Sequence, residues 1–434
     1  MTIQKPRFSI VMPTRSHAQF LPKALESALR QSYDDFEIVV SDNWSSDATA
    51  DVVHSYSSPR IRYFRPERPL PLAKNFEYGL SRASGEYVTF LADDDAFVPN
   101  VLKCAAELLN IHDTELLVWN MCSYDYGDRD GSSQGSSVTI NPFTGEATVV
   151  DARRMLIRAF SVHIPLCWPF LLNCLYRRRL LQQCQSKSQC LFTPLAGDIY
   201  CGVLALSSLD NYIHLDRPLT LYGWREDNSS TLLKREPERM FEGMDEESRE
   251  SREMLCDPLG LPLEQCALHS ALLSGKAVVG DSTLDLEWNP VSYFVGAYGQ
   301  LLELRSHGRD VEDYLARFRA VLSEQPIDIQ GRVRKGIQQL QAPMFRRIVR
   351  RIREKSLFLS RVETALRPGM PLRSRRIRGK DGGFSDILQC ATHLDALLAG
   401  KLTMPLTLRG GSEGVRATAA RAEPGTEIAT LKES

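Results

Sequence analysis

Short apolar runs alternate with amphipathic stretches throughout the first 120 residues, and this alternation is the strongest constraint on the fold. The runs are rich in Val, Ile and Phe, as buried strands are, and the stretches between them carry apolar residues at helical spacing. The predicted strands are Phe8–Met12, Phe36–Val40, Ile61–Phe64, Tyr87–Leu91 and Leu116–Met121. Strands that alternate with helices of this length predict a parallel sheet covered on both faces, the α/β class.

Polar residues follow three of these strands at the point where each strand ends. Pro13, Thr14 and Arg15 come after the first strand, Asp42 after the second and Asp93–Asp95 after the fourth. In an open α/β sheet, ligands bind beyond the carboxyl ends of the strands, where the strand order reverses. We therefore expect the three clusters to converge on one crevice.

Three consecutive carboxylates, Asp93–Asp95, form the most unusual of these clusters. Like charges side by side raise one another's pKa unless a cation or several donors offset them. Carboxylate oxygens are hard ligands that suit Mg²⁺ or Mn²⁺ bridging phosphates. The alternative is a solvated acidic turn before the helix that starts near Pro99, because Asp is favourable at helix N-termini. The turn by itself leaves both interpretations open.

Composition excludes several other classes of protein. The formal net charge of the 434 residues is −1, which gives no overall attraction to nucleic acid, and no partner of that kind is expected. The N-terminal residues lack the apolar region of a signal peptide, and the longest apolar stretch, 164–176, is too short for a membrane span. The ten cysteines show no Cys-x-x-Cys pairs. We expect a cytoplasmic protein with reduced thiols.

The chain changes character after Lys234, where helical patterns replace the alternation. We predict an α/β domain over residues 1–233 and a mainly helical accessory domain over 234–399. From Lys401 onward Gly, Ala, Thr and charged residues predominate, so residues 400–434 are predicted to be a disordered tail.

A series of short motifs runs in order through the first hundred residues. The motifs are Ser9–Thr14, Phe20-Leu21, Ala24–Leu29, Gln31–Tyr33, Phe36–Asp42, Ser45–Asp47, Ala73–Asn75 and Ala83–Val88. Together they resemble the family 2 glycosyltransferases over residues 8 to about 230. The resemblance implies the GT-A fold, in which a Rossmann-like nucleotide-binding sheet has helices on both faces.

The resemblance also implies an inverting transfer of a sugar from a nucleotide-diphosphate donor. By analogy, Pro13 and Thr14 line the nucleotide pocket and Asp42 hydrogen-bonds the base. Asp93–Asp95 hold the ribose and a Mn²⁺ or Mg²⁺ ion that bridges the diphosphate. A metal ion neutralises the charge that develops on such a leaving group.

One departure from the family pattern sets the register of the acidic cluster. The family often has Asp-x-Asp-Asp at this place, and here Ala92 stands where the first Asp is common. Asp94 is therefore the preferred metal ligand, with Asp95 as a second ligand. Asp93 is assigned to the nucleotide sugar.

Four further residues are assigned to donor binding by the same resemblance: Arg15, Lys74, Asn75 and Arg225. Arg15 and Lys74 would add positive charge beside the phosphates, although a solvated basic side chain is an open alternative. Arg225 resembles the family's Tyr-Arg near the end of the domain and would also meet phosphate. Its alternative role is a salt bridge at the rim with Glu226 or Asp227.

Asp198 is the candidate general base. The family places this carboxylate after an apolar acceptor-binding stretch and at the start of a helix, and Gly197-Asp198 occupies that place. An inverting transfer needs such a group to deprotonate the attacking hydroxyl. The alternative role of Asp198 is a helix N-cap, which Asp often fills. The usual Glu is replaced by Gly197.

Arginine dominates residues 332–380, where it is interleaved with apolar residues. One interpretation is a basic amphipathic surface that contacts anionic lipid at the inner face of a membrane. The others are a site for a polyanionic acceptor and a partner for the acidic segment 245–253. A solvated charged face is the common outcome for such runs.

Three function classes remain at this point. The leading one is a glycosyltransferase that acts on a hydroxyl acceptor, such as a glycan or a lipid-linked saccharide. A nucleotidyltransferase is less favoured because Pro13–His17 contains no glycine for a phosphate loop. A catalytically silent scaffold that binds nucleotide or polyanion is the third, and nucleotide binding with turnover would distinguish it from the first.

Overall fold

The fold is described here from a computed structural model. It covers residues 5–127, 136–161, 164–225, 228–242, 257–280, 286–341, 375–382, 384–399 and 408–409.

Most of the strands belong to the first 224 residues. The strands are β1 (Phe8–Thr14), β2 (Phe36–Asp42), β3 (Ile61–Phe64), β4 (Tyr87–Phe90), β5 (Ala96–Phe97), β6 (Leu116–Asp125), β7 (Ser137–Ile140), β8 (Ala147–Asp151), β9 (Cys174–Arg177), β10 (Asn211–Trp224), β11 (Arg375–Arg378) and β12 (Leu408–Arg409). All five predicted strands are present, with ends that differ by at most four residues from the predicted ones.

Helices connect these strands and then make up most of the later chain. They are α1 (Leu21–Leu29), α2 (Thr49–His54), α3 (Leu72–Arg82), α4 (Val101–Ile111), α5 (Ala152–Ser161), α6 (Arg178–Lys187), α7 (Gly197–Leu206), α8 (Ser229–Arg235), α9 (Pro237–Glu242), α10 (Glu264–Val279), α11 (Pro290–Ser306), α12 (Glu312–Ser323), α13 (Ile327–Gln341), α14 (Gly379–Gly382) and α15 (Ile387–Ala399).

One half of the sheet is parallel and contains the point where the strand order reverses. Its order is β4-β1-β2-β3, because the chain adds β2 and β3 on one side of β1 and β4 on the other. The carboxyl ends of β1 and β2 are level, with Thr14 opposite Asp42. A crevice at the β1/β4 boundary is the standard ligand position in this kind of sheet.

The other half is mixed, whereas the sequence predicts a parallel sheet throughout. Strand β9 runs antiparallel between β4 and β6, and β10 lies parallel to β6. The two-residue strand β5 pairs antiparallel with Thr220-Leu221 of β10. Strands of two to four residues show too little periodicity to be predicted. The β5–β10 pairing matters for function because it brings the end of β10 to the turn after β4.

Side chains alternate between the two faces of the central strands, and each face has its own core. Ile10 and Met12 of β1 lie in a cluster with residues of α1, α2 and α4, and Val11 lies in a second cluster with residues of α3, α5, α6 and α7. All three β1 side chains are fully buried. The α/β class with helices on both faces is therefore confirmed, as is the helical character of the later chain.

Helices α11, α12 and α13 share a third core, built around Phe294, Leu301 and Phe318. Helix α15 lies elsewhere: Ile387 and Leu394 belong to the first core, with β1 and α1. The predicted division assigns α15 to the helical accessory domain, but its apolar face covers the sheet domain instead. A helical period in the sequence identifies an apolar face and not the surface that it covers.

Several sequence predictions fall outside the described residues. They concern positions 342–374 of the arginine-rich segment, the acidic segment 245–253, Glu226 and Asp227, and the tail apart from Leu408-Arg409, which pairs with β8. Across the part of the chain that the structure covers, no helix has the length and apolarity needed to cross a membrane.

Candidate active site

The loops after β1 and β2 are bonded to each other. The backbone N–H of Ser16 donates to Oγ of Ser45 at 2.8 Å, and the N–H of Ser46 donates to Oγ of Ser16 at 3.2 Å. Ser16 and Trp44 both have left-handed backbones, with φ of 55° and 58°. Non-glycine residues in this region are strained, and such strain concentrates at functional sites.

Asp42 ends β2 with no exposed side-chain surface. Its Oδ1 accepts a hydrogen bond of 2.9 Å from the Ser45 N–H, and its Oδ2 accepts one from the Tyr63 hydroxyl. The guanidinium of Arg65 lies 3.9 Å from the same Oδ2. Burial and the Asp42 carboxylate raise the pKa of Tyr63 to about 12, so this phenol remains a donor. Asp42 thus acts together with Tyr63, a partner that the sequence did not indicate.

Trp44 presents a flat apolar surface next to Asp42. Its indole is 41% exposed, which is unusual for so large a side chain. The indole N–H donates to the carbonyl oxygen of Pro66 at 2.8 Å, and the Arg65 guanidinium carbon lies 5.0 Å from the ring centre. These two contacts fix the orientation of the exposed ring.

The residues predicted after β1 differ in accessibility. Pro13 and Thr14 are buried, whereas Arg15 is exposed. The hydroxyl oxygen of Thr14 has no hydrogen-bond partner among the described residues. An unpartnered buried hydroxyl at the carboxyl end of a strand is a candidate for a bound molecule.

The three carboxylates of the acidic turn point to three different partners. Asp93 Oδ1 lies 2.9 Å from Nδ1 of His17, in the loop after β1. Asp94 Oδ2 lies 3.4 Å from Nε of Arg225, just after β10. Asp95 is fully buried, and its Oδ1 accepts a hydrogen bond of 2.7 Å from the N–H of Gly223. The turn after β4 is therefore connected to the loop after β1 and to the end of β10.

Negative charge is in excess at this turn. Burial and the neighbouring charge of Asp93 raise the pKa of Asp94 to about 6. Burial and the charge of Asp94 raise the pKa of Asp95 well above the ordinary Asp value. The hydrogen bond with Asp93 raises the pKa of His17 in turn. A bound cation would relieve the repulsion between these carboxylates.

Arg225 is held over an aromatic ring. Its guanidinium carbon lies 4.4 Å from the centre of the Phe20 ring, and its Nη2 lies 3.4 Å from Nε2 of His17. The hydroxyl of Tyr126 donates a hydrogen bond of 2.7 Å to the carbonyl oxygen of Asp94, whose carboxylate contacts Arg225. The side chain of Arg225 is only 9% exposed, so the charge that it contributes is weakly screened.

The acidic turn fits a divalent cation that also binds phosphate oxygens. No group of three or more His, Cys, Asp and Glu side chains gathers around one point within the described ranges, so a complete protein cage is absent there. Mg²⁺ is usually held by one or two carboxylates together with substrate phosphates. Asp94 is the most exposed of the three carboxylates, with 13% of its side chain exposed, and the buried Asp95 has an Oδ2 with no hydrogen-bond partner in the same ranges.

Lys74 and Asn75, on α3, both contact other residues of the protein. The Asn75 side chain accepts a hydrogen bond of 2.7 Å from the Ser41 hydroxyl and donates one of 3.2 Å to the Ser41 carbonyl oxygen. Lys74 Nζ lies 3.1 Å from Glu77 Oε2. Asn75 therefore supports the end of β2 next to Asp42, and the ammonium group of Lys74 is directed at Glu77.

Asp198 lies in the first turn of α7 and is half-buried. Its Oδ1 accepts a hydrogen bond of 2.9 Å from the Ile199 N–H, and burial raises the pKa of its carboxyl. Phe192 connects this helix start to β4: its ring centre lies 5.8 Å from that of Phe90, and its Cβ lies 3.1 Å from where a Gly197 Cβ would be. Asp198 is thus on the α3 side of the sheet, near the carboxyl end of β4.

The structure brings most of the sequence-predicted residues to one edge of the sheet. Thr14, Asp42, the acidic turn and Arg225 meet there through the contacts given above. Five participants were missed by the sequence interpretation: His17, Trp44, Tyr63, Tyr126 and Gly223. The only sequence signal for them was their position just after, or at the end of, a strand.

Known proteins resemble part of this chain. Residues 9–181 match the family model of glycosyl transferase family 2. Over 108 residues the chain is 38% identical to a GalNAc(5)-diNAcBac-PP-undecaprenol beta-1,3-glucosyltransferase of Campylobacter jejuni, covering 24% of this chain and 35% of that protein. Over 136 residues it is 32% identical to an uncharacterized glycosyltransferase of Rickettsia felis, covering 31% of this chain and 22% of that protein. The chain thus spans about a third or less of these relatives.

Among solved structures, S. aureus TarS 1-349 in complex with UDP-GlcNAc matches this chain. It is 18% identical, with a TM-score of 0.43, and the match covers 77% of this chain and 91% of that one. The family match confirms the resemblance that the motifs indicate, and with the sheet described above it confirms the predicted GT-A fold class.

Proposed function

We propose that the protein transfers a sugar from a nucleotide-diphosphate donor to a hydroxyl acceptor. The match of residues 9–181 to glycosyl transferase family 2 supports this proposal. One observation carries the proposal: the loop after β1 and the end of β10 are both bonded to the acidic turn after β4, beside the point where the strand order reverses. Ligands bind at this point in open α/β sheets. The charges there, two carboxylates beside a buried arginine, suit a diphosphate with its cation.

In this proposal the nucleoside lies along the ends of β1 and β2. The Asp42–Tyr63 pair meets polar groups of the base, and the exposed Trp44 ring offers it a stacking surface. Pro13 and Thr14 form the floor of the pocket, and Arg15 lies exposed at its rim. Asn75 acts indirectly by holding the end of β2.

The diphosphate lies between the acidic turn and the end of β10. Arg225 contacts phosphate oxygens, with Lys74 as a second, more distant charge, and Asp93 meets the ribose. Asp94 would hold the divalent cation, with Asp95 as a second carboxylate ligand. A bound Mn²⁺ or Mg²⁺ would supply the positive charge that stabilises the departing diphosphate.

The transfer itself is a single displacement with inversion. The acceptor oxygen forms a bond to the anomeric carbon as the bond from that carbon to the phosphate oxygen breaks. The departing nucleoside diphosphate takes the electron pair, and the hydroxyl proton passes to the Asp198 carboxylate. The raised pKa of Asp198 suits a general base, because it brings the pKa of this carboxyl closer to neutral pH.

The acceptor class in the proposal is a hydroxyl of a glycan or of a lipid-linked saccharide. Contact with a membrane surface would come from the arginine-rich residues 332–380. Of these, positions 342–374 lie outside the described residues, so this part of the proposal depends on the sequence alone.

The test is a panel of nucleotide sugars with different bases, each added with and without Mn²⁺. A donor that binds only the folded protein raises its melting temperature, and turnover releases the matching nucleoside diphosphate. Asp94→Asn should lose the metal-dependent part of both signals. Asp34→Asn is a matched control, because Asp34 is an exposed carboxylate that precedes β2, at the opposite edge of the sheet. If no nucleotide sugar stabilises the protein or is turned over, the proposal is wrong.

A further inference from the structure

We infer that His17 is a positioning residue of this site, which connects Asp93 to Arg225 and thereby sets the direction of the Arg225 guanidinium. The inference rests on the proposed function for its substrate, a nucleoside diphosphate. His17 is absent from the sequence-derived set of site residues. It lies in the loop after β1, between the acidic turn and the residue that follows β10.

Both ring nitrogens of His17 have partners of opposite character. Nδ1 lies 2.9 Å from Asp93 Oδ1, and Nε2 lies 3.4 Å from Arg225 Nη2. In the neutral tautomer with a proton on Nδ1, that N–H donates to the carboxylate and the Nε2 lone pair faces the guanidinium. One tautomer therefore satisfies both neighbours.

These contacts close a ring of four side chains. Arg225 Nε lies 3.4 Å from Asp94 Oδ2, and Asp94 adjoins Asp93 in the chain. The ring contains groups from three separate segments: the loop after β1, the turn after β4 and the end of β10. Within it, His17 is the link between the first segment and the third.

Phe20 shields one side of this ring. The Arg225 guanidinium lies 4.4 Å above the Phe20 ring centre, and the imidazole of His17 lies perpendicular to the same ring at 6.0 Å. The side chains of Asp93 and Arg225 are 8% and 9% exposed, whereas that of His17 is 34% exposed. The imidazole edge thus forms part of the accessible wall above two buried charges.

The consequence is a guanidinium that is ordered before the donor arrives. A long arginine side chain loses considerable rotamer freedom when it binds an anion, and contacts that already restrict it reduce this loss. Removing His17 should therefore weaken donor binding more than it slows the chemical step. We expect His17→Ala to raise the donor KM by roughly tenfold with a kcat within about twofold of the parent.

Two amide variants separate the two halves of the bridge. The amide nitrogen of Asn reaches the position of Nδ1, so His17→Asn keeps the bond to Asp93 and loses the contact with Arg225. The amide oxygen of Gln reaches the position of Nε2, so His17→Gln keeps the acceptor for Arg225 and loses the bond to Asp93. We expect the donor KM to be lowest in the parent, intermediate in the Asn and Gln variants, and highest in His17→Ala. His307→Ala, at an exposed histidine beyond α11, is the control and should match the parent.

The outcomes are decisive in each case. A His17→Ala protein with the parent KM overturns the inference. If the Ala variant does not fold, Asn and Gln variants that both have the parent KM overturn it as well.

A ligand-free measurement covers the case in which no donor is found: imidazole ¹⁵N shifts of His17 at about pH 9, above its ordinary titration range. The expected result is an Nδ1–H tautomer whose Nδ1 shift changes in Asp93→Asn and whose Nε2 shift changes in Arg225→Gln. Shifts that neither substitution alters overturn the bridge, whereas a parent protein that binds and turns over none of the nucleotide sugars in the panel contradicts the proposed function alone.

Discussion

The backbone N–H of Gly223 donates a hydrogen bond of 2.7 Å to Oδ1 of Asp95, which ties the end of β10 to the acidic turn after β4. The same approach brings the carbonyl oxygen of Asp94 within 2.1 Å of the position that a Gly223 Cβ would occupy. A backbone oxygen cannot move aside as the tip of a side chain does. Only glycine therefore allows the two segments to meet at this distance.

Gly223→Ala should consequently displace the acidic turn. We expect a loss of about 1–3 kcal/mol in the free energy of unfolding, the usual range for overpacking, and weaker donor binding. Urea denaturation measures the free energy of unfolding. The shift in melting temperature on adding UDP or GDP with Mn²⁺ measures the binding. Gly331→Ala in α13 is the control, because nothing lies within 4 Å of the added Cβ. It should be stabilising by up to about 1 kcal/mol, and equal stability of the two variants would contradict the argument.

The raised pKa of Asp94, about 6, predicts how metal binding depends on pH. A carboxylate must be deprotonated to bind a metal, so protons and Mn²⁺ compete for it. We expect the affinity for Mn²⁺ to be constant well above pH 6 and to fall by up to about tenfold per pH unit below it. Calorimetric titration with Mn²⁺ alone at several pH values measures this. An affinity that stays constant down to pH 4 would show that Asp94 is not a ligand.

Asp198→Asn separates the two roles considered for this residue. The amide oxygen of Asn still accepts the hydrogen bond from the Ile199 N–H, so the start of α7 should remain stable. An amide cannot take a proton from the acceptor hydroxyl, and we expect kcat to fall by about 10²–10⁴-fold with little change in donor affinity. Rate and binding measurements with the same donor distinguish these effects. A variant that is destabilised but has the parent kcat would make Asp198 a cap only.

His269 of α10 predicts a pH-dependent stability of the helical region. Its ring is packed against those of Trp288 and Tyr293, with both centroid distances 4.5 Å, and neither nitrogen has a hydrogen-bond partner among the described residues. Burial lowers its pKa to about 4. Between pH 6.5 and 4, His269 therefore binds a proton in the unfolded chain but not in the folded chain. The neutral His269 therefore stabilises the folded protein above pH 6.5, and the free energy of unfolding falls by up to ~3 kcal/mol as the pH drops to about 4.

The measurement is urea unfolding of the parent and of His269→Phe between pH 7 and pH 4. The difference in unfolding free energy between the two proteins should change across this range, because only the parent has the titrating imidazole. A difference that stays constant would mean that His269 is accessible to water in the folded state. The aromatic replacement keeps the packing against Trp288 and Tyr293.

The sequence predicted those parts of the fold that depend on local periodicity. The parallel strands and their ends could be read from apolar runs followed by Thr14, Asp42 and Asp93, because a strand that is buried on both faces leaves such a run. The convergence of these ends then followed from the topology of parallel sheets. Asp94 remains the preferred metal ligand of the proposal because of the register that the family pattern gives to the acidic cluster.

The contacts between distant segments could not be predicted in this way. Arg225 meets Asp94 because the two-residue strand β5 pairs with β10, and neither strand length nor composition indicated that pairing. His17 and Tyr63 carry no motif, and their roles depend on the atoms that face them. The position of α15 was also missed, since its helical period is compatible with any apolar surface.

Helix α15 packs against α1, β5 and β10, and its Asp395 accepts a hydrogen bond of 2.7 Å from Asn100, 295 positions earlier in the chain. Protein synthesis proceeds from the N-terminus, so the apolar surface that α15 covers is made long before its cover. The sheet domain of this chain therefore cannot complete its core on the ribosome until residue 399 has emerged. Contacts of such high sequence separation slow folding and lengthen the exposure of apolar surface to other chains. The core that contains the first strand is thus completed only after the last described helix has been synthesised.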